Sequence, residues 1–134
     1  MIAPLAAEAV PAAIALWAAA GLTRPWNDPL ADAHRALAGP ASTILACHAG
    51  GRLVGTVMVG HDGHRGWVYY LAVADDCRRA GHGRALMAAA LDWLRAAGMP
   101  RLNLMVRTGN DAVLGFYEAL GFRVADVQVL QQDL

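Results

Sequence analysis

Apolar alternation between turn signals, followed by a strand, helix, strand run, predicts an α+β chain: a mixed, mostly antiparallel sheet with a parallel pair near its centre and helices on both faces. Helical patterns come first, over residues 6–20 and from Pro29 to about Gly39. The three apolar, β-rich runs between residues 42 and 74 are separated only by Gly50-Gly51 and Asp62-Gly63, as hairpin-linked antiparallel strands are. A glycine-bounded helix then separates the third run from another at 101–107. Such a unit makes a right-handed crossover, so its two strands lie parallel in one sheet.

In the first segment Ile14, Leu16 and Trp17 sit among alanines at helical spacing, and Gly21 stops the pattern. The stretch "LTRPWNDP" holds two prolines and an Asn-Asp pair and is a loop. Asp28 is placed to cap a second helix with Pro29 at its first position, and Gly39-Pro40 ends it. The third strand runs from about Trp67 to Ala74, and the helix after it ends at Gly98 with Pro100 just beyond. "RLNLMVR" is the next strand. Asn110 or Asp111 caps a last helix that stops at Gly121, and "FRVADVQVL" alternates as a closing strand.

A chain of 134 residues fits one domain, 1–134, and a hydrophobic content of 57% supplies a core. Every apolar run is broken by charge, proline or glycine within about 18 residues, so no membrane span is expected. The first residues lack the basic stretch and apolar segment of a signal peptide, which points to a cytoplasmic protein with Cys47 and Cys77 as free thiols. Formal charge is zero and the 11 basic residues, all arginine, are scattered except at 78–84, against the pattern of a nucleic-acid groove. His61 and His64 are too sparse for a metal site.

The exception at 78–84 carries the chemistry. Arg78, Arg79 and Arg84 surround a helix start, where free backbone N–H groups already carry partial positive charge. In Arg78-x-x-Gly81-x-Gly83 the missing side chains let an anion approach converging N–H groups, which is the chemistry of a phosphate site. A tight turn into a helix explains the glycines equally well. A nucleoside-triphosphate loop would need Gly-Lys-Ser/Thr, and Gly83 is followed by Arg84-Ala85. A dinucleotide fingerprint would need a third glycine and an acidic residue at the end of the second strand, where the chain has Arg101.

Arg78, Gly81 and Gly83 match the Gln/Arg-x-x-Gly-x-Gly/Ala loop of the GNAT superfamily of acyl-CoA-dependent N-acetyltransferases, which the chain resembles. Downstream, Asn110, Tyr117 and "YEALGF" fill further family positions, and "LTRPWNDP", "GTVMVGHDGHRG" and "YYLAV" look more narrowly like the bacterial YpeA-type acetyltransferases. The order of elements agrees over nearly all of the chain. The ends depart from the family: "MIAPL" is a poor first strand and the C-terminal hairpin is short.

The resemblance implies that strands 67–74 and 101–107 splay apart around the pantetheine arm of acetyl-CoA, with backbone groups near Leu71, Ala72 and Val73 meeting the thioester carbonyl. It puts the pyrophosphate on Arg78, Arg79, Gly81, His82, Gly83, Arg84 and Ala85. Tyr117 would protonate the departing thiolate, and packing of its ring under the sheet is the competing role. Asn110 would contact the cofactor arm or cap its helix. An amine acceptor, a small molecule or a protein N-terminus or lysine, would lie by Trp26, Asn27 and Asp28 and by the hairpin with Asp62, His64, Tyr69 and Tyr70. Asp62-Gly63 is also an ordinary turn. Cys77, beside Arg78 and before a helix start, is placed to favour its thiolate, but direct transfer in the family leaves it a small loop residue. No metal is implied, a homodimer is an open assembly, and a noncatalytic acyl-CoA sensor with this fold is the alternative.

Overall fold

The computed structural model describes residues 1–134. Its elements are β1 (Ile2–Pro4), α1 (Val10–Ala19), α2 (Pro29–Ala38), β2 (Ser42–Ala49), β3 (Arg52–His61), β4 (Gly66–Val73), α3 (His82–Ala96), β5 (Leu102–Asn103) and α4 (Asp111–Ala119). The chain divides into two compact units, Met1–Leu104 and Met105–Leu134. No helix is long and apolar enough to cross a membrane.

The first unit holds a sheet in the order β1-β2-β3-β4-β5, antiparallel throughout except for the parallel pair β4 and β5. Residues 2–4 do form the first strand: Ile2 pairs with Cys47 and Pro4 with Leu45. Pro4 is tolerated because β1 is an edge strand. The strand expected at 101–107 is the larger correction, since only Leu102 and Asn103 pair, opposite Gly66 and Trp67.

The middle of the sheet, β2 to β4, shows one face to α1 and α2 and the other to α3. On the first face Ile44, Ala46 and Ala72 join Val10, Ala13 and Trp17 of α1 and Ala33 and Ala36 of α2. The α1 residues recur at i, i+3 and i+7, the spacing of a single helix face. On the second face α3 buries Leu86, Met87, Ala90 and Leu94. It lies so close to the sheet that a Cβ at Gly55 would come 2.8 Å from Leu86 Cδ1. One at Gly66 would collide with both Leu94 Cδ atoms.

In the second unit α4 is the regular element. Asn110 caps it by accepting from Val113 N–H at 3.4 Å, and Gly121 with φ +96° follows its end. The closing strand expected over 122–130 is absent: Val124, Val127, Val129 and Leu130 are exposed. Alternation gives a segment a face, but a strand also needs a hydrogen-bonding partner.

Gly66→Ala should therefore lower the unfolding free energy by about 1–3 kcal/mol through overpacking against a buried leucine. Gly115→Ala in α4, where no atom lies within 4 Å of an added Cβ, should raise it by about 0.5–1 kcal/mol through helix propensity. Urea unfolding of the two variants reads both, and equal midpoints would refute the close approach of α3.

Candidate active site

The middle of β4 is where the sheet departs from regularity. Met58 pairs with Tyr69 and Thr56 with Ala72, so Val57 alone faces both Tyr70 and Leu71. This is a β-bulge, and Tyr70 opens it with φ +52°, a left-handed backbone that a bulky side chain rarely adopts. Several contacts hold the residue there. Its ring stacks on Trp17 with centroids 4.0 Å apart and planes 17° from parallel. Its hydroxyl donates to Asp32 Oδ2 at 2.8 Å. Its carbonyl accepts from Thr56 Oγ1 at 3.0 Å, and that same oxygen accepts from Trp17 Nε1 at 2.8 Å. Burial first, and then the bond to and charge of Asp32, push the Tyr70 phenol up to about 12, so it stays protonated and serves as a donor.

Leu71, Ala72 and Val73 follow the bulge and finish β4. Pairing with β5 ends at Trp67 and Asn103, so this half of β4 has no β5 partner. From Val73 the chain passes through a 3-10 turn, Asp75–Cys77, into the loop. Arg79 with φ +67° and Gly81 with φ +84° turn it toward α3, which starts at His82 with no side-chain cap. Ala85 N–H makes the first backbone bond into α3, to Gly81 C=O at 3.0 Å, leaving the N–H groups of His82, Gly83 and Arg84 at the open end. Arg79 and Arg84 are exposed and make no ion pair, while Arg78 meets Asp75 at 3.1 Å. His82 Nδ1 lies 3.5 Å from the buried Cys47 Sγ, which ties the helix start to β2. The loop residues expected to hold pyrophosphate are thus contiguous with the open half of β4.

The acceptor residues do not come together as expected. Asp28 caps α2 by accepting from Ala31 N–H at 3.1 Å, and Trp26, 72% exposed, and Asn27 stand in the turn before it. Tyr70 joins that end of α2 through Asp32. Asp62 does not: the hairpin beyond β3 lies at the other end of α2, where His61 N–H donates to Ala41 C=O at 2.9 Å. A helix of 10 residues separates the two ends, about 15 Å at 1.5 Å per residue. Asp62 Oδ1 is also taken within its own turn, accepting from His64 and Arg65 N–H at 2.8 Å each. Those backbone bonds hold its carboxyl below the usual range. It is a turn residue.

Tyr117 is buried in the second unit, edge-on to Phe116 and Phe122 with centroids 5.1 and 5.6 Å away, and burial raises its phenol above the ordinary value. Cys77 reverses the expectation for a thiol before a helix. Partial burial, and then the hydrogen bond to and charge of Asp76, raise its pKa against the opposing pull of Arg52. The local arginine is Arg52, 3.1 Å from Sγ and paired with Asp76 at 2.9 Å. Sequence reading missed Asp32, Thr56, Trp17 and Arg52. A hydroxyl inside the apolar run Val54 to Val59 was the available signal for Thr56. The others depend on contacts between residues 25 to 39 positions apart.

An open half-strand that leads through a glycine-bearing loop to an uncapped helix start is an arrangement suited to an extended, anion-headed ligand. A model of the Acetyltransferase (GNAT) family matches residues 12–122, and the chain belongs to that family. It is 45% identical over 121 residues to an acetyltransferase of Yersinia enterocolitica, covering 90% of this chain and 86% of that one. It is 44% identical over 123 residues to an acetyltransferase of Pectobacterium atrosepticum, covering 92% and 87%. In fold it is similar to the aminoglycoside N-acetyltransferase AAC(6')-Iy, solved with a CoA bisubstrate analogue, at TM-score 0.85, 17% identity and coverage of 100% and 97%. The ribosomal-protein-S18-alanine N-acetyltransferase of Escherichia coli is similar at TM-score 0.80 and 28% identity, with coverage of 93% and 78%.

The thiol environment gives a direct check. Asp76→Asn removes the negative charge that helps hold the Cys77 proton, so its pKa should fall and alkylation by iodoacetamide near neutral pH should quicken several-fold. Buried Cys47 should stay unmodified in both proteins. An unchanged pH profile of alkylation would remove Asp76 as the cause.

Proposed function

We propose that the chain moves an acetyl group from acetyl-CoA to a primary amine by direct transfer. The observation that carries this reading is the continuity of the open half of β4 with the uncapped, arginine-bearing start of α3. The free N–H groups of His82, Gly83 and Arg84 with the guanidinium groups of Arg78, Arg79 and Arg84 take the pyrophosphate, and the glycines at 81 and 83 leave room for it. Ala85 closes the same turn. Backbone groups of Leu71, Ala72 and Val73 hold the pantetheine arm and the thioester carbonyl. Asn110, already occupied as a helix cap, contributes to the arm in this reading.

In the reaction the amine lone pair forms the C–N bond, the C–S electron pair leaves on sulfur, and the Tyr117 phenol gives its proton to that sulfur. The new amide nitrogen releases its proton to water, and water restores the phenol. Tyr117 is assigned on the motif "YEALGF" alone. From a phenol of pKa ~10 to a thiolate whose acid has pKa ~8.5 the transfer is uphill by roughly 2 kcal/mol, and burial of Tyr117 adds to that.

The amine is held beside Trp26, Asn27 and Asp28, with Tyr70 and Asp32 behind them at the same end of α2. The indole supplies an apolar or cation–π wall and the carboxylates draw a cation toward it. Deprotonating an alkyl ammonium of pKa ~10.4 at pH 7 costs about 4.6 kcal/mol, against about 1.4 for an α-amino group of pKa ~8. Tyr70 keeps its proton up to about 12 and is no base near neutrality. That favours an α-amino group, such as a protein N-terminus, over a lysine.

Acetyl-CoA should raise the melting temperature of the wild type, and Gly83→Glu should abolish the shift while keeping or raising the melting temperature of the free protein. A glutamate in the first turn suits the helix end but repels pyrophosphate. Equal shifts in both proteins would remove the loop from the binding site. With an amine that turns over, Tyr117→Phe should lower kcat by roughly 10²–10⁴-fold at nearly constant KM for acetyl-CoA. Binding of acetyl-CoA without turnover across an amine panel that includes peptide N-termini would assign the sensor role instead.

A further inference from the structure

The contacts around Thr56 do more than fill the core. Thr56 is the buried polar residue of the sheet, fully inaccessible, and both roles of its hydroxyl are used: it accepts from Trp17 Nε1 and donates to the carbonyl of Tyr70. Valine, the same shape, would pack there equally well, so packing does not explain the hydroxyl. What the hydroxyl touches does. Tyr70 is the left-handed residue that opens the bulge, and its carbonyl is drawn toward β3 by Thr56.

A trans peptide is planar, so the N–H that follows a carbonyl points the opposite way. Fixing Tyr70 C=O toward Thr56 therefore turns Leu71 N–H away from β3, in the half of β4 that β5 does not pair. The indole N–H makes the clamp directional: with Trp17 donating to Oγ1, the Thr56 proton is free to go only to another acceptor, and Tyr70 C=O supplies it. The far end of Tyr70 is secured separately by the Trp17 stack and Asp32.

We propose that Thr56, oriented by Trp17, is a positioning residue for acyl transfer: its hydroxyl holds the Tyr70 carbonyl and thereby aims Leu71 N–H at the thioester oxygen. The inference rests on the acetyl-CoA reading above. It assigns a function to two buried side chains that touch no substrate and makes the strained φ of Tyr70 the element they control.

The experiment compares Thr56→Val, which keeps the shape and removes the hydroxyl, with Thr56→Ser, which keeps the hydroxyl. Ile44→Ala, on β2 in the same core, serves as a control for lost stability. Backbone carbon chemical shifts of Tyr70 report its left-handed conformation without any ligand. They should leave that region in the valine variant and remain in the serine variant. With a turned-over amine, kcat should fall roughly 10²-fold in Thr56→Val, the scale of losing one oxyanion donor. Thr56→Ser and Ile44→Ala should stay within about threefold, as neither removes that donor.

Unmoved Tyr70 shifts in Thr56→Val would overturn the clamp, whatever the activity. Moved shifts with kcat intact would overturn its role in transfer. An equal loss in Ile44→Ala would reduce the effect to stability. A wild type that turns over no amine would instead strike the acetyl-transfer reading, while the chemical shifts would still decide the clamp.

Discussion

β4 has two edges with different fates. Along one it is bonded to β3 for its whole length, interrupted by a bulge, and along the other it meets β5 through two residue pairs and then stands alone. Backbone N–H and C=O groups are obligatory hydrogen-bonding groups, so a central strand with an unpaired edge requires a partner from elsewhere. In a sheet whose other strands are paired or are short edges, this is the place where an extended ligand can enter as a surrogate strand. The bulge, the loop and the start of α3 all sit at that open end.

The local conformations support this division. Three residues between the middle of β4 and the first turn of α3 have positive φ: Tyr70, Arg79 and Gly81. Only one of them is glycine. Strain at the other two has to be met by contacts, and Tyr70 has four of them: a stacked ring, a phenol on Asp32, a carbonyl on Thr56 and the paired neighbour Tyr69. Arg79 has an exposed side chain and no ion pair. The bulge is therefore held by the chain's own contacts, whereas the loop leaves Arg79 and Arg84 without an ion pair.

Much of the fold was legible because its signals are local. Turn glycines bounded the β strands, Asp28 and Pro29 announced α2, and Gly98 ended α3. The misses share one cause, the dependence of a strand on its partner. Residues 2–4 read poorly alone and pair well with β2, whereas 122–130 read well alone and form no strand. The same cause shortened the strand at 101–107 to two residues. At the candidate site the loop was legible because glycine and arginine spacing is a contiguous pattern. Asp62 was grouped with the acceptor residues by the resemblance and by no signal of its own, and the contact of His61 with Ala41 puts its hairpin at the end of α2 opposite to the Asp28 cap.

The two glycines beneath α3 make the helix a lever. Leu86 rests on Gly55 near its first turns and Leu94 on Gly66 near its last. These are separated by about 12 Å along the axis at 1.5 Å per residue. The helix has no slack at either bearing, so any side chain at position 66 would act as a wedge under one end, tilting the other about Leu86. That other end carries the glycine-arginine loop. Position 66, a strand's length from that loop and buried under a leucine, thus shares in setting the height of the loop above β4.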